Sequence, residues 1–369
     1  MKSIIQKISL YRCPVKLKQP FIISLGRLDY ADNVILTIET SEGITGYGEC
    51  SPFATIHGET GETCMVTGKL IAERLLGQNA IDIAGCIALM DALLTGNSSI
   101  KSAFDMALHD VLAKSKGLPL YRLLGGVQRE LVTDYTVSIG PVEKMADDAE
   151  KILADGFGII KVKLGGTAED DVARIRAIRN RVGQQVPLRI DANQGWKKEE
   201  AINILKALSP FDIQHCEEPI ARNQFLALPK IRRESPIPLM ADESCFDHVD
   251  AQRLVELGAC DMLNIKLGKS GIHKAGKIAS LATENNIVLQ AGGFLESRLG
   301  FSATAHLALS SPLFRHIDFD TPLMFSEDYV EGGIEYHRGG RITVPDTPGI
   351  GATIPAKVLG KLEKVAIGK

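Results

Sequence analysis

Ile190-Asp191-Ala192-Asn193, His215-Cys216-Glu217-Glu218-Pro219 and Met240-Ala241-Asp242-Glu243-Ser244 share one pattern: an apolar, strand-like run that ends in a carboxylate. They recur at intervals of about one β/α unit, and the same texture extends outward on both sides. Strand-like runs fall at 134–139, 158–164, 187–193, 213–219, 238–244, 262–267, 287–293 and 316–320, with amphipathic helical stretches such as 144–153, 170–181, 199–208, 249–257 and 272–282 between them. Short parallel strands alternating with helices, eight in succession, predict a (β/α) barrel of the TIM type. An open doubly wound sheet is the alternative, but the Gly-x-Gly-x-x-Gly that would favour it after the first strand is absent.

The barrel region spans 126–320 of a 369-residue chain, long enough for a second domain. Residues 1–125 read as strands followed by helices, an α+β module. Val34-Ile35-Leu36-Thr37-Ile38-Glu39-Thr40, the turn Ser41-Glu42-Gly43 and the run from Ile44 to Glu49 form a hairpin signature. Phe21 to Leu28 shows no clear period and reads as a linker or a flap over a site, near 20–30. A helix over Ser102–Ala113 stops at Lys116-Gly117-Leu118-Pro119, and its His109 reads as a core or surface residue. Residues 321–369 look like a return to the first module, with Tyr336 to Pro345 as a strand around a turn.

Composition excludes several classes. The net charge of −3 points to neither nucleic acid nor an anionic membrane. Seven scattered cysteines without a close Cys-x-x-Cys pair read as free thiols, neither a disulfide framework nor a zinc site. No signal-peptide block and no membrane-spanning run is present, so a cytoplasmic protein is expected.

Active sites of such barrels form at the carboxyl ends of the strands, where alternate side chains share a face. Lys161 and Lys163 share one on the second strand, Asp191 and Asn193 on the third, and His215 and Glu217 on the fourth. Asp242 and Ser244 share one on the fifth, Asn264 and Lys266 on the sixth, and Asp318 and Asp320 on the eighth. Charges are costly to bury unpaired, so stability alone would not gather so many there. Asp191, Glu217 and Asp242 come from neighbouring strands, and an all-oxygen set suits Mg²⁺, tolerates Mn²⁺ and disfavours Zn²⁺. Glu218 and Glu243, one residue on, should point away, and His215 and Cys216 read as packing residues. Lys163 and Lys266, four strands apart in a ring of eight, face each other across the site. A base on each face of a carbon inverts a stereocentre. A divalent cation on the substrate carboxylate, helped by Lys161, stabilises the enediolate formed on proton removal, and a lowered lysine pKa suits the base.

With Lys161-Val162-Lys163, Asp191-Ala192-Asn193, Glu217-Glu218-Pro219, Ala241-Asp242-Glu243-Ser244 and Asn264-Ile265-Lys266 taken together, the chain resembles the enolase superfamily, muconate-lactonising subgroup, and within it the dipeptide epimerases. The resemblance runs over nearly the whole chain. It implies a modified barrel, (β/α)7β, closed by an amino-terminal cap that the carboxyl-terminal tail completes. Lys163 and Lys266 are then the acid/base pair, and Asp191, Glu217 and Asp242 the Mg²⁺ ligands. Asp318-Phe319-Asp320 matches the Asp-x-Asp that holds a dipeptide's free amino terminus, and Thr136 matches a substrate-contacting position. Where the Ala-Glu epimerases place a flap arginine this chain has Gly26, with Arg27 one place on, which argues against a Glu-containing dipeptide. Phe294 and Leu295 would give the pocket an apolar wall, favouring substrates such as D-Ala-D-Ala and D-Ala-L-Ala.

The expected activity is therefore Mg²⁺-dependent epimerisation at the carboxyl-terminal residue of a dipeptide. N-succinylamino acid racemisation and the lyase or cycloisomerase chemistry of o-succinylbenzoate synthase and muconate cycloisomerase are alternatives on the same scaffold. Their substrates offer no ammonium for Asp318 and Asp320. A binding protein on a borrowed barrel would have no use for opposed bases. Barrels of this kind often associate, so a homo-oligomer is compatible with the sequence.

Overall fold

Apolar-polar alternation over the first forty residues builds two long antiparallel strands, β1 (Ile5–Ile23) and β2 (Gly26–Thr40), with β3 (Thr45–Cys50) alongside β2. The computed structural model describes residues 2–368. Phe21–Leu28, which shows no clear period in the sequence, is the end of this ribbon: Phe21 pairs with Leu28, Ile22 with Arg27 and Ile23 with Gly26 around the turn Ser24-Leu25. A register shift between Lys16 and Phe21, spanning Pro20, breaks the alternation that would have revealed the strand.

Helices α1 (Ala54–His57), α2 (Gly61–Leu75), α3 (Ile83–Leu93), α4 (Ser98–Ser115) and α5 (Leu120–Leu123) complete the amino-terminal unit. The backbone of α4 lies so close to β3 that a Cβ at Gly48 would strike the carbonyl of Ala103. His109 on α4 is a core residue, with Nδ1 2.7 Å from Asp105 Oδ1.

After β4 (Leu131–Val132) the chain lays down β5 (Tyr135–Val137), α6 (Val142–Ala154), β6 (Ile160–Lys163), α7 (Ala168–Val182), β7 (Leu188–Asp191), α8 (Lys198–Leu208) and β8 (Ile213–Glu217). It continues through α9 (Leu228–Glu234), β9 (Leu239–Ala241), α10 (His248–Glu256), β10 (Met262–Lys266), α11 (Leu267–Asn285), β11 (Val288–Gly292), α12 (Arg298–Leu309) and β12 (Phe314–Ile317). Strands β5 to β12 lie in chain order as one eight-stranded parallel sheet, and Asp134 N donates to Ile317 O at 3.2 Å where its two edges meet. Eight strands with seven intervening helices make the expected (β/α)7β barrel. The eighth strand ends earlier than its sequence suggests, so Asp318 to Asp320 lie just beyond it.

The tail contains α13 (Thr321–Met324), β13 (Glu331–Gly332), β14 (Glu335–Tyr336), β15 (Arg341–Thr343), β16 (Ala352–Thr353) and β17 (Glu363–Gly368). β17 pairs with β1 from Lys7↔Gly368 to Arg12↔Glu363, joining the amino-terminal sheet. Tyr336 to Pro345 does not make that return: β14 pairs with β15, and β15 with β4, which precedes the first barrel strand. All seven cysteines are free and buried, and among the described residues no helix is long and apolar enough to cross a membrane.

Candidate active site

Because every second residue of a barrel strand points inward, the strand ends deliver Asp191 from β7, Glu217 from β8 and Asp242 from just after β9 to one place. Their ligand oxygens all lie within 4.8 Å of one another, and the three side chains are fully buried. Glu217 is oriented by Asn264 Nδ2 at 2.7 Å and Gln290 Nε2 at 3.2 Å, and Asp191 by the amide of Asn193 at 2.8 Å. Three converging carboxylates with no nitrogen or sulfur donor in the cluster fit a hard divalent cation such as Mg²⁺. Glu218 and Glu243 turn away as expected yet remain buried: Glu218 accepts from Asp242 N at 2.7 Å and from Ser244 Oγ, and Glu243 from Asn193 Nδ2 at 3.1 Å.

Four ammonium groups meet these acids. Lys163 Nζ is 2.6 Å from Asp191 Oδ2, and Lys266 Nζ is 2.7 Å from Asp242 Oδ2. Lys161 Nζ reaches Glu217 at 2.7 Å, Asp318 at 2.8 Å and Asp191 at 3.3 Å. Lys269 Nζ contacts Asp242 Oδ1 at 2.6 Å and also the carbonyls of Asp242 and Asn264. At Asp191, Asp318 and Lys266 burial opposes ionisation, but these pairs outweigh it. Asp191 and Asp318 sit below the usual carboxylate range beside Lys163 and Lys161, while Lys266 is held above its ordinary value by Asp242 and Glu217.

Lys163 and Lys266 border a small pocket of ≈ 40 Å³, walled by Phe21 and Ile23 of the hairpin, Phe53 and Ile56 of the β3–α2 connection, and Phe294 and Leu295. Thr136, Asp318 and Asp320 also line it, whereas Lys161 lies outside the lining, buried among the carboxylates. Each of these two lysines has a ring nearby, Phe21 at 5.8 Å from Lys163 Nζ and Phe294 at 4.9 Å from Lys266 Nζ. Asp320 Oδ2 accepts from Thr136 N at 2.6 Å, and Oδ1 is buried without a partner among the described residues. Burial, then the charge of Asp318, pushes the Asp320 carboxyl up to about 7. Arg298 pairs with Asp328 and leaves both aspartates alone.

Gly26 stands opposite Ile23 and is not part of the pocket lining; Arg27, paired with Asp29, faces an outer cavity of ≈ 560 Å³ that shares Phe21 and Thr136 with the inner one. Ser24 Oγ at the hairpin tip donates to Asn193 O at 2.6 Å, docking the ribbon on the end of β7. Sequence reasoning missed Lys269, Gln290 and the lining residues Phe53 and Ile56, whereas Phe21 and Ile23 fall in the stretch near 20–30 that it read as a flap over a site. The Lys266-Leu267-Gly268-Lys269 spacing was the one available signal, since a lysine one helical turn after a strand-end base returns to the same face.

Residues 7–125 match the mandelate racemase / muconate lactonizing enzyme N-terminal domain, and residues 144–358 the enolase C-terminal domain-like family. The chain is 54% identical over 366 residues to the D-Ala-D/L-Ala epimerase of Cytophaga hutchinsonii, covering 99% of this chain and 100% of that protein. The crystal structure of the dipeptide epimerase from that organism, complexed with Mg and the dipeptide D-Ala-L-Val, matches with a TM-score of 0.98 over 99% of this chain and 100% of that one. Identity to the L-Ala-D/L-Glu epimerase of Bacillus subtilis is 37% over 363 residues, 97% of this chain and 99% of the relative. The N-succinyl Arg/Lys racemase structure from Bacillus cereus matches with a TM-score of 0.95 at 32% identity over 100% of both chains. With its two large sheets, its strand-end carboxylates and its paired lysines in this pattern, the chain belongs to the mandelate racemase / muconate lactonizing enzyme family of the enolase superfamily.

Proposed function

We propose that the chain is a Mg²⁺-dependent isomerase, a dipeptide epimerase that inverts the α-carbon of the carboxyl-terminal residue and prefers small or apolar residues there, as in D-Ala-D-Ala and D-Ala-L-Ala. One observation carries the reading: Lys163 and Lys266 line one pocket together with Asp320, whose Oδ1 has no partner among the described residues, and their ammonium groups pair with Asp191 and Asp242 of the three-carboxylate cluster.

Asp191, Glu217 and Asp242 would hold the ion. Mg²⁺ bound there supplies positive charge against the substrate carboxylate, making the α-proton more acidic and the lysines less basic. Lys163 and Lys266 then share the proton traffic, one removing the α-proton from its face and the other returning a proton to the opposite face. Lys161, fixed among three carboxylates, adds a stationary positive charge near the developing enediolate. Asp318 and Asp320 receive the substrate ammonium, for which Asp320 Oδ1 has an acceptor to spare. Phe294 and Leu295 favour an apolar side chain, and among the described residues the pocket lining contains no arginine for an acidic one.

The test is incubation with Mg²⁺ in D₂O against a dipeptide library including Ala-Ala and Ala-Glu, read by mass spectrometry for a one-deuteron gain. Exchange confined to free-amino dipeptides, with Ala-Ala ahead of Ala-Glu, is expected. Turnover of an N-succinyl amino acid or a succinylbenzoate precursor, with no dipeptide exchanged, would overturn the assignment of Asp318 and Asp320.

A further inference from the structure

Phe294 and Leu295 lie on the loop between β11 and α12, and much of what holds that loop comes from outside the barrel. Asn33 on β2 donates from Nδ2 to Leu295 O at 2.7 Å and to Glu49 Oε1 at 2.8 Å. Glu49 on β3 accepts from Ser297 N at 3.0 Å, Ser297 Oγ at 2.7 Å and Gly300 N at 2.9 Å, which places its carboxylate at the amino terminus of α12. Inside the barrel unit, Glu296 Oε2 accepts from Phe294 N at 2.5 Å and Thr321 Oγ1 donates to Phe294 O at 2.9 Å. The backbone around both wall residues is therefore pinned by side chains on two fronts.

Asn33 and Glu49 are 0% and 1% exposed. Asn33 Oδ1 has no partner among the described residues, but both bonds from its Nδ2 and those accepted by Glu49 are buried, and buried bonds fix geometry more narrowly than apolar packing. The wall they fix has little slack. A Cβ at Gly268 would come within 2.9 Å of the Phe294 ring, whose other neighbours include His57 at 4.3 Å between centroids and the Lys266 ammonium at 4.9 Å. A displacement of the loop by a fraction of an ångström thus alters the space beside the base itself.

We propose that Asn33 and Glu49, two residues of the amino-terminal unit that touch neither base nor metal ligand, are positioning residues for substrate selection: they set how far the Phe294–Leu295 wall stands from Lys266, and so which side chain the reacting residue carries. This rests on the reading of the chain as a dipeptide epimerase. The β2 strand then has two tasks, since it also runs on into the hairpin over the pocket.

The experiment compares wild type, Asn33→Ala and the milder Glu49→Gln on Ala-Ala and Ala-Leu, with hydrogen–deuterium exchange of residues 293–300 measured in parallel. In both variants the ratio of kcat/KM for Ala-Leu to that for Ala-Ala should rise about fivefold or more, carried by KM, with kcat on Ala-Ala changed less than about threefold, and exchange of the loop amides should accelerate about tenfold. Equal loss on both substrates, or an unchanged ratio, overturns the proposal, as does unchanged loop exchange. If wild type exchanges no dipeptide while the loop loosens in the variants, the positioning stands and the reading of the function falls.

Discussion

Lys163 and Lys266 each hold one carboxylate through one contact and face the pocket, whereas Lys161 and Lys269 are tied down at three atoms each. A singly anchored ammonium can turn to a substrate carbon, and a triply anchored one cannot. Lys163→Ala and Lys266→Ala should therefore each slow epimerisation by about 10²–10⁴-fold at saturating Mg²⁺. Lys269→Met should instead raise the Mg²⁺ concentration needed for half-maximal activity by about 10–100-fold, because it frees the Asp242 ligand. Titrating Mg²⁺ against initial rate separates the two outcomes. Glu296 has a pH signature of its own: burial, then the neighbouring Glu49 charge, pushes its carboxyl from an ordinary 4.5 up to about 8. The folded state thus binds this proton more tightly than the unfolded chain, and stability falls as pH rises from about 4.5 through about 8. Glu296→Gln should remove that slope, so its Tm relative to wild type should be higher at pH 9 than at pH 5, as calorimetry can show. The strand-end acids and bases were legible because a period of two puts them on one face. Lys269 was not, because it lies in the opening turn of α11, and Asn33, Glu49 and Gln290 act through contacts that no local pattern records.

The ribbon of β1 and β2 is the element on which closure depends. Its tip is held by the Ser24 hydroxyl, and Gly165 allows the approach: with φ +116, a Cβ there would stand 2.7 Å from both Ser24 Cβ and Ala192 O. Ser24→Ala removes one hydrogen bond worth about 1 kcal/mol, so KM for a dipeptide should rise roughly fivefold with kcat changed less. A fall in kcat at constant KM would show that the tip does something other than hold substrate. The eight barrel strands could be read directly, since short apolar runs bounded by helices admit few other folds. The ribbon could not, because Pro20 and the register shift before Phe21 conceal a strand that extends to Ile23. Tyr336 to Pro345 was misplaced for another reason: a hairpin signature gives local pairing but not the partner, here β4 instead of the amino-terminal sheet.

Across the molecule, the amino-terminal unit and the barrel are joined by buried polar contacts. Asp105 on α4 accepts from His273 N of α11 at 2.9 Å, in addition to the Asn33 and Glu49 contacts, while Asp110 accepts from Ile350 N of the tail at 2.8 Å. The active centre is also charge-balanced within the chain, four lysines against Asp191, Glu217, Asp242 and Asp318. Treatment with EDTA should therefore abolish exchange of the α-proton while leaving the far-UV circular dichroism unchanged, and Mg²⁺ at about 100 times its Kd should add about 2.7 kcal/mol of stability. A far-UV change on chelation would show that the ion also holds the fold. The size of the inner pocket, ≈ 40 Å³, has a kinetic consequence. That space suits a few water molecules and not a dipeptide, so a wall of the pocket has to give way on binding, and we propose that the hairpin is that wall. If lifting is slower than proton transfer, a captured molecule crosses between its two configurations several times before it escapes. Starting dipeptide recovered from D₂O early in the reaction should then already carry deuterium, to an extent comparable with the inverted product, and its absence would mean that each visit ends after a single crossing.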